Sequence, residues 1–405
     1  MIRKSKHREA GWGPSTRCVW GGEPERMPEG VTVMPVFHGV TFGYEDVDTW
    51  RQVGEGTRAG YVYSRNRNPT VEAFEARVTA LEGAEAGTSF ATGMAAISNT
   101  LFALLSPGRR VVSIRDTYGG TNRIFTEFLP QYGVDVELCD TRDHDAIEAA
   151  LAKGADILYL ESPTNPTLEV LDIARLASRG HAAGATVAVD NTFATPINQR
   201  PLELGADLVI HSATKFLGGH SDAMGGVVAG SAPLVDRIFR FREINGASLD
   251  PHSAFLLTRG LKTLELRVAR HNANAQQVAE YLAAHPAIEA VFYPGLRDHP
   301  RHEVARRQMR GFGGVLSFSL RGDEDQLRRF LNSLQLAHRA ASLGSVGTLV
   351  GPPATTSHVE LTREERAAAG IPETLVRYSV GIENAEDLIE DLRGALAAMT
   401  AGSPT

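Results

Sequence analysis

Cysteine is scarce: two in 405 residues, Cys18 and Cys139. Two thiols cannot build a disulfide framework, and neither sits in a metal-binding spacing. Long apolar runs are missing as well, and none approaches the roughly 18 residues of a membrane-spanning helix, so no membrane partner is expected. The basic start MIRKSKHRE leads into no apolar core. A secretory signal is therefore not expected, and a cytoplasmic location is the default expectation. Cations are the minority, 41 Lys and Arg against 48 Asp and Glu, for a net charge of −7. That balance, with no basic stripe, argues against nucleic acid as a partner. The 13 histidines are scattered, and His302-Glu303 does not extend to HExxH, so no metal is expected. The Gly-rich fingerprints of nucleotide-binding loops are also missing.

What is present is ordinary globular composition, 42% apolar and 22% charged. The length suits about two to three domains. Residues 1–60 read as an irregular arm, punctuated by Pro14, Pro24, Pro28 and Pro35. So long a segment with little periodicity is rarely free, and it is expected to pack on a neighbouring subunit. Across residues 61–255 helix and strand patterns alternate. Phe74, Val78 and Leu81 have helical spacing, with Gly83 as the stop. Short apolar runs follow at Val111–Ile114, Val134–Leu138, Ile157–Leu160, Thr186–Val189, Leu208–Ile210 and Val227–Ala229. Such alternation predicts an α/β domain with a mostly parallel sheet covered by helices. Residues 256–405 change character: long helical patterns surround the strand-like runs Val315–Leu320 and Val376–Gly381. They read as a smaller α+β domain.

In an open α/β sheet the ligand lies beyond the carboxyl ends of the strands. Four of these runs end in chemically able groups: Tyr118 and Arg123, then Glu161 and Asn165, then Asp190, then Ser212, Thr214 and Lys215. A lone lysine is ordinarily a solvated charge. Here Ser212 and Thr214 place two hydroxyls beside the amine, as a phosphate cup requires. Thr92-Gly93-Met94 opens a helix, whose free N–H groups suit an anion. Asp190 ends a buried-looking strand, and a buried carboxylate calls for a cation such as a protonated pyridine. Tyr118 offers a ring for stacking. Pyridoxal phosphate requires this set: a Schiff-base lysine, an acid for the ring nitrogen, a phosphate site and a ring stack.

The motifs YSRNRNPT, ATGMAAI, DTYGGTNR, ESPTNPT, VDNTFATP, HSATKFLGGHSD, SLG and RYSVGIE occur in this order between about Gly60 and Gly381. In them the chain resembles the Cys/Met-metabolism family of pyridoxal-phosphate enzymes, which includes cystathionine γ-synthases and lyases, methionine γ-lyases and O-acylhomoserine sulfhydrylases. The resemblance implies an aspartate-aminotransferase-like (fold type I) architecture. It implies that Lys215 carries the cofactor and shuttles protons, that Asp190 pairs with the ring nitrogen and that Tyr118 stacks on the ring. Gly93, Met94, Ser212 and Thr214 would hold the phosphate, completed by Tyr63 and Arg65 of a neighbouring subunit in a dimer of dimers. Arg377, with Ser342 and Asn165, would bind the substrate α-carboxylate. The implied reaction is γ-elimination or γ-replacement on a γ-substituted L-amino acid, through aldimine, carbanion and vinylglycine-type intermediates.

Some positions depart from the family pattern. Val62 and Gly347 stand where members acting on cystathionine often carry acids, and Gly120 stands where methionine γ-lyases carry cysteine. Arg123 matches an arginine that contacts a distal carboxylate in cystathionine-handling members. Together the departures point to a γ-substituent smaller or less polar than cysteine. An activated homoserine with a small thiol, or an unusual γ-substituted amino acid, would fit. The alternative is cystathionine γ-synthase, γ-lyase or β-lyase chemistry.

Overall fold

The computed structural model describes residues 11–24, 27–356, 362–368 and 370–400. A first sheet is built from β1 (Ala86–Phe90), β2 (Arg110–Ile114), β3 (Asp135–Cys139), β4 (Ile157–Glu161), β5 (Thr186–Asp190), β6 (Leu208–Ser212) and β7 (Gly226–Gly230), in the order β1-β7-β6-β5-β4-β2-β3. Strands β6, β5, β4, β2 and β3 run parallel, and β7 runs antiparallel to both β6 and β1. The parallel strands are short runs rich in branched residues, and every residue of β4 is buried. That is the mark of a sheet covered on both faces.

A second sheet holds β8 (Ile288–Phe292), β9 (Val315–Leu320), β10 (His338–Arg339), β11 (Leu349–Gly351) and β12 (Leu375–Ser379), in the order β10-β11-β12-β9-β8. Its core packs Phe318 and Tyr378 from the sheet against Val278, Phe330 and Leu392 from three helices. Each of the aliphatic and phenylalanine side chains among them contributes about 1.5–3 kcal/mol by leaving water.

The arm departs from the irregular reading. It carries helices α1 (Pro14–Trp20) and α2 (Val47–Gly54). Cys18 of α1 is buried against this chain's own core, and Arg77 donates to the Cys18 carbonyl at 2.8 Å. The next helix, α3 (Pro69–Glu82), follows the sequence rules closely. Asn68 caps it by accepting from the Thr70 N–H, Pro69 is its first residue, and Gly83 ends it at φ +71°.

Two long-range ties set the lysine turn against the second sheet. Arg267, on the helix Leu264–Ala283, donates to the carbonyls of Phe216 (2.7 Å), Leu217 (3.3 Å) and Gly260 (2.8 Å). One turn later, His271 Nδ1 bonds the Val380 carbonyl at 2.7 Å, just beyond β12. A single helix thus fixes both the segment after Lys215 and the strand that carries Arg377.

Candidate active site

The carboxyl ends of β4, β5 and β6, the Tyr118 loop after β2 and the start of helix α4 (Gly93–Leu104) surround a cavity of about 240 Å³. Thr92 caps α4 by accepting from the Ala95 N–H at 3.0 Å. The first N–H groups of the helix, at Gly93 and Met94, have no partner within it. Gly93 lies against the end of β6: a Cβ there would sit 2.7 Å from Ser212 Cβ. Only glycine allows this approach, so the α4 amides and the Ser212 hydroxyl share one wall. Thr214 completes that wall and receives the Gly225 N–H at 3.1 Å.

Lys215 Nζ donates to Ser342 Oγ at 3.1 Å. Burial, helped by the nearby Arg377 charge, pulls its pKa down to about 8. Arg377 is itself buried, and burial lowers its pKa to about 10. Its guanidinium donates to Asn165 Oδ1 at 2.9 Å and to the Ser342 carbonyl at 3.2 Å. Among the described residues no carboxylate pairs with it. A buried cation so placed calls for an external anion.

Asp190 is buried at 7% exposure, and no cation is ion-paired with it among the described residues. Its Oδ1 accepts from the Thr192 N–H (3.0 Å) and hydroxyl (2.5 Å). Tyr159 reaches Oδ2 at 3.4 Å. Burial raises the Asp190 pKa, and the Thr192 bonds hold that rise back. Glu161 is the register partner of Asp190. Burial first, and the Asp190 charge second, push Glu161 well above the usual carboxylate range. Tyr118 is 44% exposed and lines the cavity.

Ten of the residues anticipated from sequence line this one cavity: Gly93, Met94, Tyr118, Asn165 and Asp190, then Ser212, Thr214, Lys215, Ser342 and Arg377. Three do not. Arg123 lies five residues along the helical turn from Tyr118 and forms an i,i+4 ion pair with Glu127 at 2.9 Å. The structure therefore does not bring it to the cavity. Tyr63 and Arg65 sit together just beyond the arm, guanidinium 5.4 Å above the ring, and line no wall of their own chain's cavity. Thr192 and Tyr159 were not singled out from sequence, and Glu161 was given no role. The two-residue spacing from Asp190 to Thr192 is a side-chain turn signal that could have found one of them.

The departures also have places. Gly347 lines an adjoining open space that shares Thr214 and Ser342 with the cavity, and a Cβ at Gly347 would meet nothing within 4 Å. Gly120 is crowded: a Cβ there would be 2.8 Å from Met94 Sδ and 3.0 Å from the Tyr118 ring.

The model of the Cys/Met-metabolism PLP-dependent enzymes matches residues 15–397. An L-methionine γ-lyase of Pseudomonas putida is 46% identical over 388 residues, covering 95% of this chain and 98% of the relative. A cystathionine γ-lyase of Bacillus subtilis is 42% identical, covering 94% of this chain and 98% of the relative. Among solved structures, cystathionine γ-synthase from Xanthomonas oryzae superposes with a TM-score of 0.91 at 37% identity, over 96% of this chain and 98% of that one. With nearly the whole chain included in these matches, the chain belongs to the Cys/Met-metabolism family of pyridoxal-phosphate-dependent enzymes.

Proposed function

We propose that this enzyme acts on a γ-substituted L-amino acid whose departing or entering group is small or uncharged. The reaction is a pyridoxal-phosphate-dependent γ-elimination or γ-replacement, as the named activities of its relatives indicate. The observation that carries the site reading is the convergence on Ser342: the Lys215 amine on its hydroxyl and the Arg377 guanidinium on its carbonyl. An amine and an unpaired cationic fork so close together suit an α-amino acid.

The residues present fit the cofactor. Gly93 leaves the close wall that a phosphate needs, and Asp190 is a buried acid that a pyridinium would neutralise. We assign the phosphate to the amides of Gly93 and Met94 and the hydroxyls of Ser212 and Thr214. Asp190 takes the ring nitrogen and Tyr118 the ring face. When bound, pyridoxal phosphate supplies an aldehyde for the substrate amine and a ring that accepts electrons from Cα. Arg377 and Asn165 orient the substrate carboxylate by a two-pronged contact. Lys215 Nζ, with its pKa near 8, takes and returns protons at the substrate carbons.

We further propose that Tyr63 and Arg65 serve the cavity of a neighbouring subunit, in a dimer of dimers. The support is the distribution of exposed apolar groups. Among the described residues, seven of the fourteen exposed large apolar side chains lie between Trp20 and Tyr63. Both cysteines are buried and unpaired, which suits a reducing compartment, and we place the enzyme in the cytoplasm.

A substrate panel on the purified holoenzyme tests the substrate class, with O-acetylhomoserine, O-succinylhomoserine, methionine, vinylglycine and cystathionine, each with and without added thiol. Turnover should favour the substrates with small or uncharged γ-groups. Gly347→Glu, which has open space to occupy, should raise cystathionine turnover. Cystathionine as the best substrate of the parent, unaffected by G347E, would defeat the reading.

A further inference from the structure

Two carboxyl groups end adjacent parallel strands in direct register, Glu161 on β4 and Asp190 on β5, and both line the cavity. The proposed chemistry uses only Asp190. Glu161 is 5% exposed, and its contacts are specific. Its Oε2 accepts from the Tyr118 N–H at 2.9 Å, and the Asn165 N–H also faces its carboxyl. These two donors belong to different loops. Tyr118 follows β2, while Asn165 follows β4 and receives the Arg377 guanidinium.

We propose that Glu161 is a positioning residue whose carboxyl oxygen locks the Tyr118 loop and the Asn165 loop into one frame. The inference rests on the roles assigned above to Tyr118 and Asn165. What Glu161 provides is an acceptor, not a charge. It faces Asp190 on β5 and Asp116 after β2, with Tyr159 on its own strand and Lys215 and Arg377 across the cavity. Burial first and the Asp190 charge second disfavour a third anion here and push Glu161 upward, while the Tyr118 and Asn165 amides hold that rise back by using its oxygens as acceptors. The ring face held by Tyr118 and the substrate carboxylate held through Asn165 are thereby set by one group.

The holoenzyme variants Glu161→Gln and Glu161→Ala decide this, read by visible circular dichroism of the bound cofactor, KM, kcat and the pH profile. Gln keeps a neutral carbonyl acceptor, so E161Q should show the parent's dichroism and pH profile. Ala removes the acceptor, so E161A should raise KM by about 10- to 100-fold and change the dichroism. Parent-like KM and dichroism in E161A would overturn the proposal. So would E161Q with a displaced pH limb, since that would show an ionised Glu161 at work. Should E161A fail to fold, the E161Q profile still decides between acceptor and charge. Tyr118→Ala run in parallel separates the two readings. Unchanged dichroism in Y118A defeats the stacking role of Tyr118 itself. Changed dichroism in Y118A beside a parent-like E161A defeats only the role of Glu161.

Discussion

Lys215 illustrates what burial does to one group. Its pKa falls from 10.5 to about 8, a difference worth roughly 3 kcal/mol at about 1.36 kcal/mol per pH unit. At pH 7 the amine is charged in folded and unfolded chains alike, and folding buries that charge beside Arg377. The cost is fully present below pH 8. Above it the folded chain loses its proton first, so the cost fades and is gone near 10.5. Lys215→Met should therefore raise the melting temperature of the cofactor-free protein at pH 7, and the gain should shrink as the pH rises toward 10.5. Denaturation monitored by circular dichroism across that range checks it. An undiminished gain at the top of the range would mean packing, not charge, and would refute the account. At this scale the sequence was partly readable. Lys215 and Asp190 carry unusual chemistry at the ends of apolar runs, so their residue types mark them, whereas Arg377 came only through the family resemblance. Glu161 also ends an apolar run, but its role does not show, because its contact is with a backbone N–H 43 positions earlier. Arg123 came from a motif match, which says nothing about where a helical turn sends a side chain; here it pairs with Glu127.

The start of α4 and the end of β6 form one unit. Gly93 and Ser212 are pressed together so closely that a methyl group cannot enter without moving backbone. Overpacking of this kind costs about 1–3 kcal/mol. A loss of that size in cofactor binding is about 5- to 150-fold. Gly93→Ala should thus weaken pyridoxal phosphate binding by that factor, measured by titrating the cofactor-free protein and following absorbance. Alanine is also the better helix former, so α4 itself should not unravel. A parent-like dissociation constant would show that this wall does not hold the phosphate. The parallel strands β2, β4, β5 and β6 were legible because their buried runs are mostly apolar, and β3 because Val136 and Leu138 alternate with charged residues. Strand β1 was not, because AGTSF carries one large apolar residue and pairs only with β7. The antiparallel direction of β7 left no trace in composition either, since direction is set by the connection and not by the residues. The two-residue β10 is too short for any period to show.

For the whole molecule, the question is whether one chain makes a complete site. The arm leaves α1 tied to its own core, then runs along the surface, held where Thr70 Oγ1 donates to the Pro35 carbonyl at 2.7 Å. Val31, Val33, Val40, Val47 and Trp50 project outward along it, each at least 40% exposed. A row of exposed apolar groups beside Tyr63 and Arg65 is costly on a monomer and favourable under a partner. If the arm completes a neighbour's site, two different defects complement each other. A chain with Lys215→Ala still supplies a sound arm, and a chain with Arg65→Ala still supplies a sound lysine. Coexpressed, half of random dimers are mixed, and each mixed dimer holds one intact site and one doubly damaged site. Activity should return to roughly a quarter of the parent level, although each variant alone is nearly inactive. Sites made from one chain alone would give no such recovery, since every lysine-bearing site would keep its own damaged arginine. Activity of the coexpressed mixture equal to the average of the two variants would therefore refute the shared site, and size-exclusion chromatography of the same sample would show whether assembly or sharing had failed.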